Sequence, residues 1–234
     1  MLLLIVTLAG LVPALHAQDS VLMQKKFIYF PYPMQRKWNV SVGLTTTTMP
    51  KEITEEFRYR VPALDINVVR RLGRRTSLHA RVNAQLLQNL VMLGAQWAKP
   101  VNSKYSFGAG VDGGFWFGFV NTAGIKTRGT GWQLYPHMSF GYRFNKPILL
   151  TVRAEGLINF GVSTFAGETQ VASQYPFLSG SAFTVLLEQP FYGRKSLTLG
   201  FRAAYTNFFW QTWTLFEGYN RNIFFPQAII GLIL

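Results

Sequence analysis

The sequence has no cysteine, few acidic residues and, after its first residues, no long apolar run. The absence of cysteine excludes disulfide bonds, thiolate metal sites and cysteine nucleophiles. No later stretch reaches the ~18 consecutive apolar residues of a transmembrane helix. A closed barrel is therefore the remaining way for this chain to span a membrane. Only 10 Asp and Glu stand against 23 Lys and Arg, which gives a formal net charge of +13.

Residues 1–17 have the composition of a cleaved signal peptide. An apolar run from Leu2 to Val12 is followed by Ala14 and Ala17, small residues that suit a cleavage site before Gln18. No Lys or Arg precedes the run, and an uncleaved anchor is the alternative. A net charge of +13 would suggest nucleic acid for a soluble protein. For an exported protein, lipid phosphates or an acidic protein are the better candidates, and we predict no nucleic-acid partner.

Most of the chain alternates between apolar and polar residues. In 78–86 every even position is apolar and every odd position is polar. This period of two puts the two sets on opposite faces of a strand, and the length suits a bilayer-spanning strand of roughly 9–11 residues. Ten segments can be read as such strands, although the phase of the fourth is ambiguous: 38–45, 64–68, 78–86, 90–98, 105–117, 134–143, 150–158, 183–188, 197–205 and 224–234.

The connections between these segments alternate in length. Those after the second, fourth, sixth and eighth segments are short, whereas 118–131, 161–177 and two others are long. Outer-membrane barrels have short periplasmic turns, long outer loops and an even strand number. We therefore predict an all-β fold, a closed antiparallel up-and-down transmembrane β-barrel of ten strands over 38–234, with both termini periplasmic. Eight strands is the alternative, because segment 90–98 and the link 87–89 are weak.

These features together resemble the small bacterial outer-membrane β-barrel proteins. The resemblance is carried by the signal-like N-terminus, the ten amphipathic segments, aromatic residues near strand ends and a last strand that runs to the final residue. It implies a location in the bacterial outer membrane. In that family the last residue is typically aromatic and is read by the insertion machinery, and Leu234 departs from that pattern.

Residues 18–37 lack strand-like alternation and form a predicted periplasmic N-terminal arm. Two prolines, Pro31 and Pro33, favour an extended conformation. We expect the arm to be ordered along the barrel rim. A docking peptide or a plug in the lumen is the alternative, because five large apolar residues are too many for a free linker.

The predicted inner face carries four charges of each sign. A barrel of about eight strands is just filled by side chains, so ten strands also make a narrow lumen. Unpaired charges there would cost several kcal/mol each, which favours pairing across a closed lumen over a narrow small-solute channel. Charges at wet rims would contribute little. The predicted network comprises Asp65, Arg81, Asp112, Arg143, Arg153, Glu155, Glu188 and Arg202.

Two motifs raise the question of chemistry. His137-Met138-Ser139 is similar to the His-x-Ser pairing of the outer-membrane lipid A deacylases, and Glu155 on the adjacent segment could orient the His. That family's site faces lipid, whereas the phase here puts His137 and Ser139 on the lumen face. A lipid A-modifying hydrolase is therefore only a second alternative. Gly108–Gly113 spells GxGxxG, but strand alternation runs through it, so we predict no dinucleotide cofactor and no metal.

Two further sets suggest partners. Basic residues in or beside the short turns should ring the periplasmic mouth, where they could contact anionic phospholipid or an acidic periplasmic subunit. Aromatic residues between 207 and 216 form either a self-packed loop or a binding surface. We expect a structural or accessory subunit of an outer-membrane assembly. The candidate contacts are Arg70, Arg71, Arg74, Arg75, Arg194, Lys195, Trp210, Trp213 and Phe216.

Overall fold

The computed structural model describes residues 26–54, 59–122, 125–144, 147–171, 177–215 and 221–234, and the predicted signal peptide lies outside them. Within this part of the chain no helix is long and apolar enough to cross a membrane. The elements are β1 (Trp38–Thr48), α1 (Lys51–Thr54), β2 (Arg60–Arg71), β3 (Thr76–Ala84), β4 (Gln88–Pro100), β5 (Tyr105–Thr122), β6 (Ile125–Arg143), β7 (Leu149–Ala166), β8 (Thr169–Val171), β9 (Leu178–Pro190), β10 (Ser196–Thr206), a 3₁₀ helix (Trp210–Leu215) and β11 (Ile223–Ile233).

Ten of the described strands form a closed antiparallel barrel. Strands β1 to β7 pair in chain order, and β7 then pairs with β9 because β8 forms only a short hairpin on the end of β7. Pairing of β1 with β11, from Ser41↔Ile233 to Thr47↔Gln227, closes the ring. The predicted ten-stranded barrel is confirmed, and eight strands is wrong.

The alternation of the sequence becomes the alternation of the barrel wall. In β1 the side chains of Asn39, Ser41 and Thr45 are buried inside, while Val42 and Leu44 are exposed on the outer face. The other strands repeat this arrangement and produce an apolar outer surface, which is what a lipid environment requires. Its large exposed residues include Leu64, Val82, Val111, Phe140, Phe183, Phe201 and Ile230.

The barrel wall is much taller on one side than on the other. Strands β5, β6 and β7 have 18, 19 and 18 residues, whereas β3 has 9. Within the described residues, 118–122 pairs with 125–129, and 164–166 pairs with 169–171, so these parts of the expected loops continue as β-hairpins above the wall. The loop prediction failed here because the hairpins leave the lipid zone, where alternating hydrophobicity is no longer imposed.

The two ends of the barrel differ in their connections. The short-turn end carries the turns around 72–75, 101–104 and 191–195, the start of β1 and the last residue. In the last of these turns Gly193 has a φ of 56°, a left-handed conformation that favours glycine. The loop end carries α1, the 3₁₀ helix and the hairpin that contains β8.

Candidate functional site: the closed lumen

Residues 26–34, here called the N-terminal plug, fill the barrel at the short-turn end. Phe27, Ile28, Phe30 and Met34 are buried together against wall residues that include Ile233. The rim position expected for the arm does not apply to these residues. Their apolar side chains lie in the mouth of the barrel, where they avoid water.

A single carboxylate holds the backbone of the N-terminal plug. Glu188, a buried residue of β9, accepts hydrogen bonds from the backbone N–H groups of Ile28 (2.7 Å), Tyr29 (3.2 Å) and Phe30 (3.0 Å). The three N–H groups would otherwise be buried without an acceptor, which is unfavourable by about 1–3 kcal/mol for each group. In addition, the Asn39 side-chain amide donates to the carbonyl oxygen of Phe27 over 2.7 Å.

The wall is shaped to receive this plug. A Cβ atom on Gly141 would lie 2.6 Å from the Phe30 ring, and one on Gly108 would lie 2.8 Å from Pro31 Cβ. Any larger residue at either glycine would therefore displace the plug or the wall. The guanidinium of Arg143 lies over the Tyr32 ring, 4.9 Å from its centroid. Arg143 thus faces the plug, with its guanidinium also 5.9 Å from the centroid of the Phe30 ring.

Two titratable plug residues have altered proton affinity. Burial, together with the nearby Asp65 carboxylate, raises the pKa of the Tyr29 phenol, which is therefore neutral. Burial, followed by the charges of Arg36 and Arg194, lowers the pKa of Lys26. The Lys26 ammonium donates a hydrogen bond of 2.5 Å to the carbonyl oxygen of Arg194, which ties the start of the plug to the β9–β10 turn.

A chain of four charged side chains crosses the middle of the lumen. Arg153 Nη2 lies 2.6 Å from Asp112 Oδ2, and Arg153 Nε lies 2.9 Å from Glu155 Oε1. The other oxygen of Glu155 lies 2.9 Å from Arg202 Nε. Arg202 also donates to the Gln227 side-chain oxygen at 2.8 Å. The four side chains alternate in sign, so each charge has at least one opposite neighbour.

A separate pair lies nearby. Arg81 Nε lies 2.7 Å from Asp65 Oδ1, and Asn83 and Asn67 donate to the same carboxylate. Six of the eight charges assigned to the network from the sequence thus take part in ion pairs. Glu188 and Arg143 contact the N-terminal plug.

Residues 207–215, here called the loop plug, fill the barrel at the loop end. Phe208, Phe209, Trp210 and Trp213 are all buried in one apolar cluster with Trp116 and other wall residues. Of the two alternatives for this aromatic segment, the burial of Trp210 and Trp213 agrees with the self-packed loop and does not agree with an exposed binding surface at these two residues. Phe216 lies outside the described residues.

Trp213 occupies a notch made by glycines. It is 0% exposed, and a Cβ atom on Gly129 would lie 2.5 Å from its ring. Gly118, on the paired strand, borders the same indole. Backbone without side chains lets a large ring lie flat against the wall. The sequence shows these glycines, but nothing in their spacing reveals which side chain they receive.

Little space remains between the two plugs. Two of the internal cavities have volumes of ≈ 30 Å³ each, room for about two water molecules apiece. The first is bordered by Tyr29, His79, Arg153 and their neighbours, and the second by Tyr135, Glu155 and the loop plug. Neither of these two cavities is large enough for a solute of more than a few heavy atoms.

The hydrolase candidates do not form a catalytic arrangement. His137 and Ser139 are buried on the lumen face, 4% and 2% exposed. His137 Nε2 lies 3.5 Å from Asp112 Oδ2, and among the described residues the Ser139 hydroxyl has no hydrogen-bond partner. Glu155 is bound by two arginines rather than by His137. A lipid chain outside the barrel cannot reach these groups.

The GxGxxG stretch lies within β5 and not at the start of a helix. A Cβ atom on Gly110 would lie 2.7 Å from His137 Cε1, so this glycine gives the imidazole its space. Within the described ranges no group of three His, Asp or Glu side chains is arranged to hold a metal ion.

The basic residues selected from the sequence all lie on the outside of the short-turn end. Arg71 also donates to the carbonyl oxygen of Gln35 over 3.1 Å, next to the plug. Lys146, another basic residue of the short turns, lies outside the described residues. The exposed set is Arg70, Arg71, Arg74, Arg75, Arg194 and Lys195.

No family model matches the chain, and no curated protein is similar to it in sequence. Solved structures are similar in fold. The translocator domain of the autotransporter NalP from Neisseria meningitidis has a TM-score of 0.48 and 8% identity, over 85% of this chain and 88% of that one. The Ralstonia pickettii toluene transporter TbuX has a TM-score of 0.37 and 11% identity, over 86% of this chain and 73% of that one. Escherichia coli outer membrane phospholipase A has a TM-score of 0.36 and 13% identity, over 89% of this chain and 98% of that one.

All three are bacterial outer-membrane β-barrels. The likeness extends to the fold alone. The role of the barrel has to be argued from its own interior and rims.

Proposed function

We propose that this protein is a closed outer-membrane barrel that acts as a structural or accessory subunit, with both termini in the periplasm. The observation that carries the proposal is the filled lumen. An apolar plug at one end, ion pairs in the middle and an aromatic plug at the other leave cavities of only ≈ 30 Å³. Such an interior suits a wall or an anchor and leaves no route for a solute.

The orientation follows from the connections. Outer-membrane barrels have short turns on the periplasmic side and long loops outside. Both the start of β1 and the last residue lie at the short-turn end, which supports periplasmic termini. Trypsin added to intact cells should therefore spare the arginines around 70–75 and cleave there only after the outer membrane is permeabilised. Cleavage at these arginines in intact cells would mean that the short-turn end faces outward, which would contradict the proposed orientation.

A narrow solute channel is the main rival. Reconstitution in planar bilayers separates the two functions, because a filled lumen should give no conductance steps at moderate voltage. A variant that lacks residues 26–34 and carries Trp213→Ala serves as the open control, since it removes material from both mouths. Regular steps from the unaltered protein would refute a closed barrel.

The accessory role needs a partner. Extraction of the outer membrane in mild detergent should recover the barrel with at least one other protein in constant ratio. A matched extraction in 1 M salt tests whether charge holds the assembly, since the Debye length falls to about 3 Å there. Recovery of a lone monomer under both conditions would contradict the subunit role while leaving the closed barrel intact.

A further inference from the structure

The charge on the short-turn end has one sign. Among the described residues this end exposes ten Arg and Lys side chains and no Asp or Glu side chain. The exposed carboxylates of the described chain, Glu52 and Glu168, lie at the loop end. The exposed basic side chains, here called the basic collar, are Arg36, Lys37, Arg70, Arg71, Arg74, Arg75, Lys99, Lys104, Arg194 and Lys195.

The collar lies beside aromatic residues of the lipid-facing surface in a consistent order. On β4 the outward Trp97 is followed, two residues nearer the end, by Lys99. At the β9–β10 turn the exposed Phe191 and Tyr192 precede Arg194. Tyr and Trp sit at the interface between hydrocarbon and head groups. A basic residue one step further out is therefore at the level of the phosphates.

One contact joins an aromatic residue of the outer face directly to a residue of the basic collar. Trp38 of β1 and Arg70 of β2 are register partners on the outer face. The Arg70 guanidinium lies over the Trp38 ring, 5.0 Å from its centroid, while both side chains remain exposed. A guanidinium held on an interfacial indole can still direct its N–H groups to a phosphate, since Arg binds phosphate in a bidentate fashion.

We propose that the basic collar binds the phosphate head groups of anionic phospholipids in the leaflet next to the short-turn end. The inference rests on the proposed periplasmic orientation, which makes that leaflet a phospholipid one. The aromatic neighbours favour lipid over an acidic soluble protein, because they place the charges at the membrane boundary. The absence of exposed Asp and Glu side chains among the described residues of this end agrees, since no acidic side chain there would repel a phosphate.

The test compares two triple variants in nanodiscs that contain phosphatidylcholine and phosphatidylglycerol at 3:1. One variant neutralises the collar (Arg70→Gln, Arg74→Gln, Lys99→Gln), and the control removes three charges at the loop end (Lys51→Gln, Arg60→Gln, Lys126→Gln). Native mass spectrometry counts the lipids that stay bound after detergent release. Heat-modifiable migration on a gel verifies that each variant is folded.

We expect the unaltered protein and the loop-end control to retain phosphatidylglycerol in excess over its bulk share. The collar variant should retain it less by about fivefold for each basic residue that contacts a head group, the equivalent of ~1 kcal/mol each. High salt should reduce the excess for the unaltered protein as well. Equal retention by the collar variant, or an equal loss in the control, would overturn the proposal.

Two further arms identify the source of the phosphate. Purified lipopolysaccharide added as a competitor should displace less phosphatidylglycerol than the same charge of cardiolipin. Preferential capture of lipopolysaccharide, or a salt-sensitive complex with an acidic protein in place of lipid, would overturn the assignment. These outcomes concern the collar alone. A conductance signal would instead refute the closed barrel, so the two failures are distinguishable.

Discussion

Replacing Glu188 by Ala tests how the barrel holds its N-terminal plug. The substitution removes the acceptor of three backbone N–H groups, those of Ile28, Tyr29 and Phe30. A buried donor left without a partner costs about 1–3 kcal/mol. The lower bound for three donors is about 3 kcal/mol. Because Glu188 is only 2% exposed, water from outside the barrel should not easily replace it.

Amide hydrogen exchange measures the loss of these three hydrogen bonds at the plug itself. A local loss of about 3 kcal/mol should accelerate exchange of the 28–30 amides by about two powers of ten. Unfolding in urea should also occur at a lower midpoint. Glu168→Ala, an exposed carboxylate at the loop end, is the matched control and should change neither measurement. Unchanged exchange at 28–30 in the Glu188 variant would refute the role assigned to this carboxylate.

The same substitution should lose its effect when the plug is absent. In a chain without residues 26–34, Glu188 would be a carboxylate on the inner wall without its three donors. Removal of the plug also opens this mouth to water, which can solvate the carboxylate, so Glu188→Ala should then leave the free energy of unfolding nearly unchanged. A loss of stability in both backgrounds would mean that Glu188 acts through the wall and not through the plug.

Other substitutions probe the remaining interior. Gly129→Ala should displace Trp213, lower stability by about 1–3 kcal/mol through overpacking and reduce the near-UV circular dichroism; an unchanged spectrum would contradict the notch. Arg153→Met should lower the free energy of unfolding by about 3–5 kcal/mol, because it leaves the buried Asp112 carboxylate without its arginine and Glu155 with Arg202 alone. Arg128→Met, which removes an exposed cation over an aromatic ring, should change it by less than about 1 kcal/mol. Ser139→Ala should leave the lipid A mass spectrum of the cells unaltered, and an altered spectrum would support the alternative of a lipid A-modifying hydrolase.

The strands could be predicted because each residue of a barrel wall faces either the lipid or the interior, and each side favours a different type of side chain. Lipid outside and polar groups inside impose a period of two in the sequence. The period is strong in β5, where nearly every outward residue is apolar. This alternation of apolar and polar residues stops where the strands extend beyond the lipid. The hairpin above the membrane, which joins β5 to β6, was therefore expected to be a loop, and β8 was not expected at all.

The plugs could not be predicted in this way because they have no period. The N-terminal plug is an irregular segment, and its closest partner, Glu188, binds backbone groups that every residue has. Sequence reasoning therefore sought an arginine for Glu188. The large apolar residues before Trp38 could not remain in water, and they made a plug in the lumen the alternative to a position along the rim. The choice between rim and lumen, however, depended on glycines at 108 and 141 whose role appears only in three dimensions.

The ambiguous phase of β4 and the position of the loop plug have one physical cause. Leu90 and Met92 point inward at the loop end although they are apolar, and Val91 and Leu93 point outward. A strand that is apolar on both faces loses the contrast that fixes which face meets lipid, because a slip of one residue would exchange the faces. The barrel restores the contrast in its middle with ion pairs, which add little net stability when buried but are unfavourable in lipid. Where the inner wall is apolar instead, it needs an apolar partner, and the aromatic residues of the loop plug provide it. A polar middle thus specifies the register of the strands, and the apolar loop-end mouth requires the chain to close itself there.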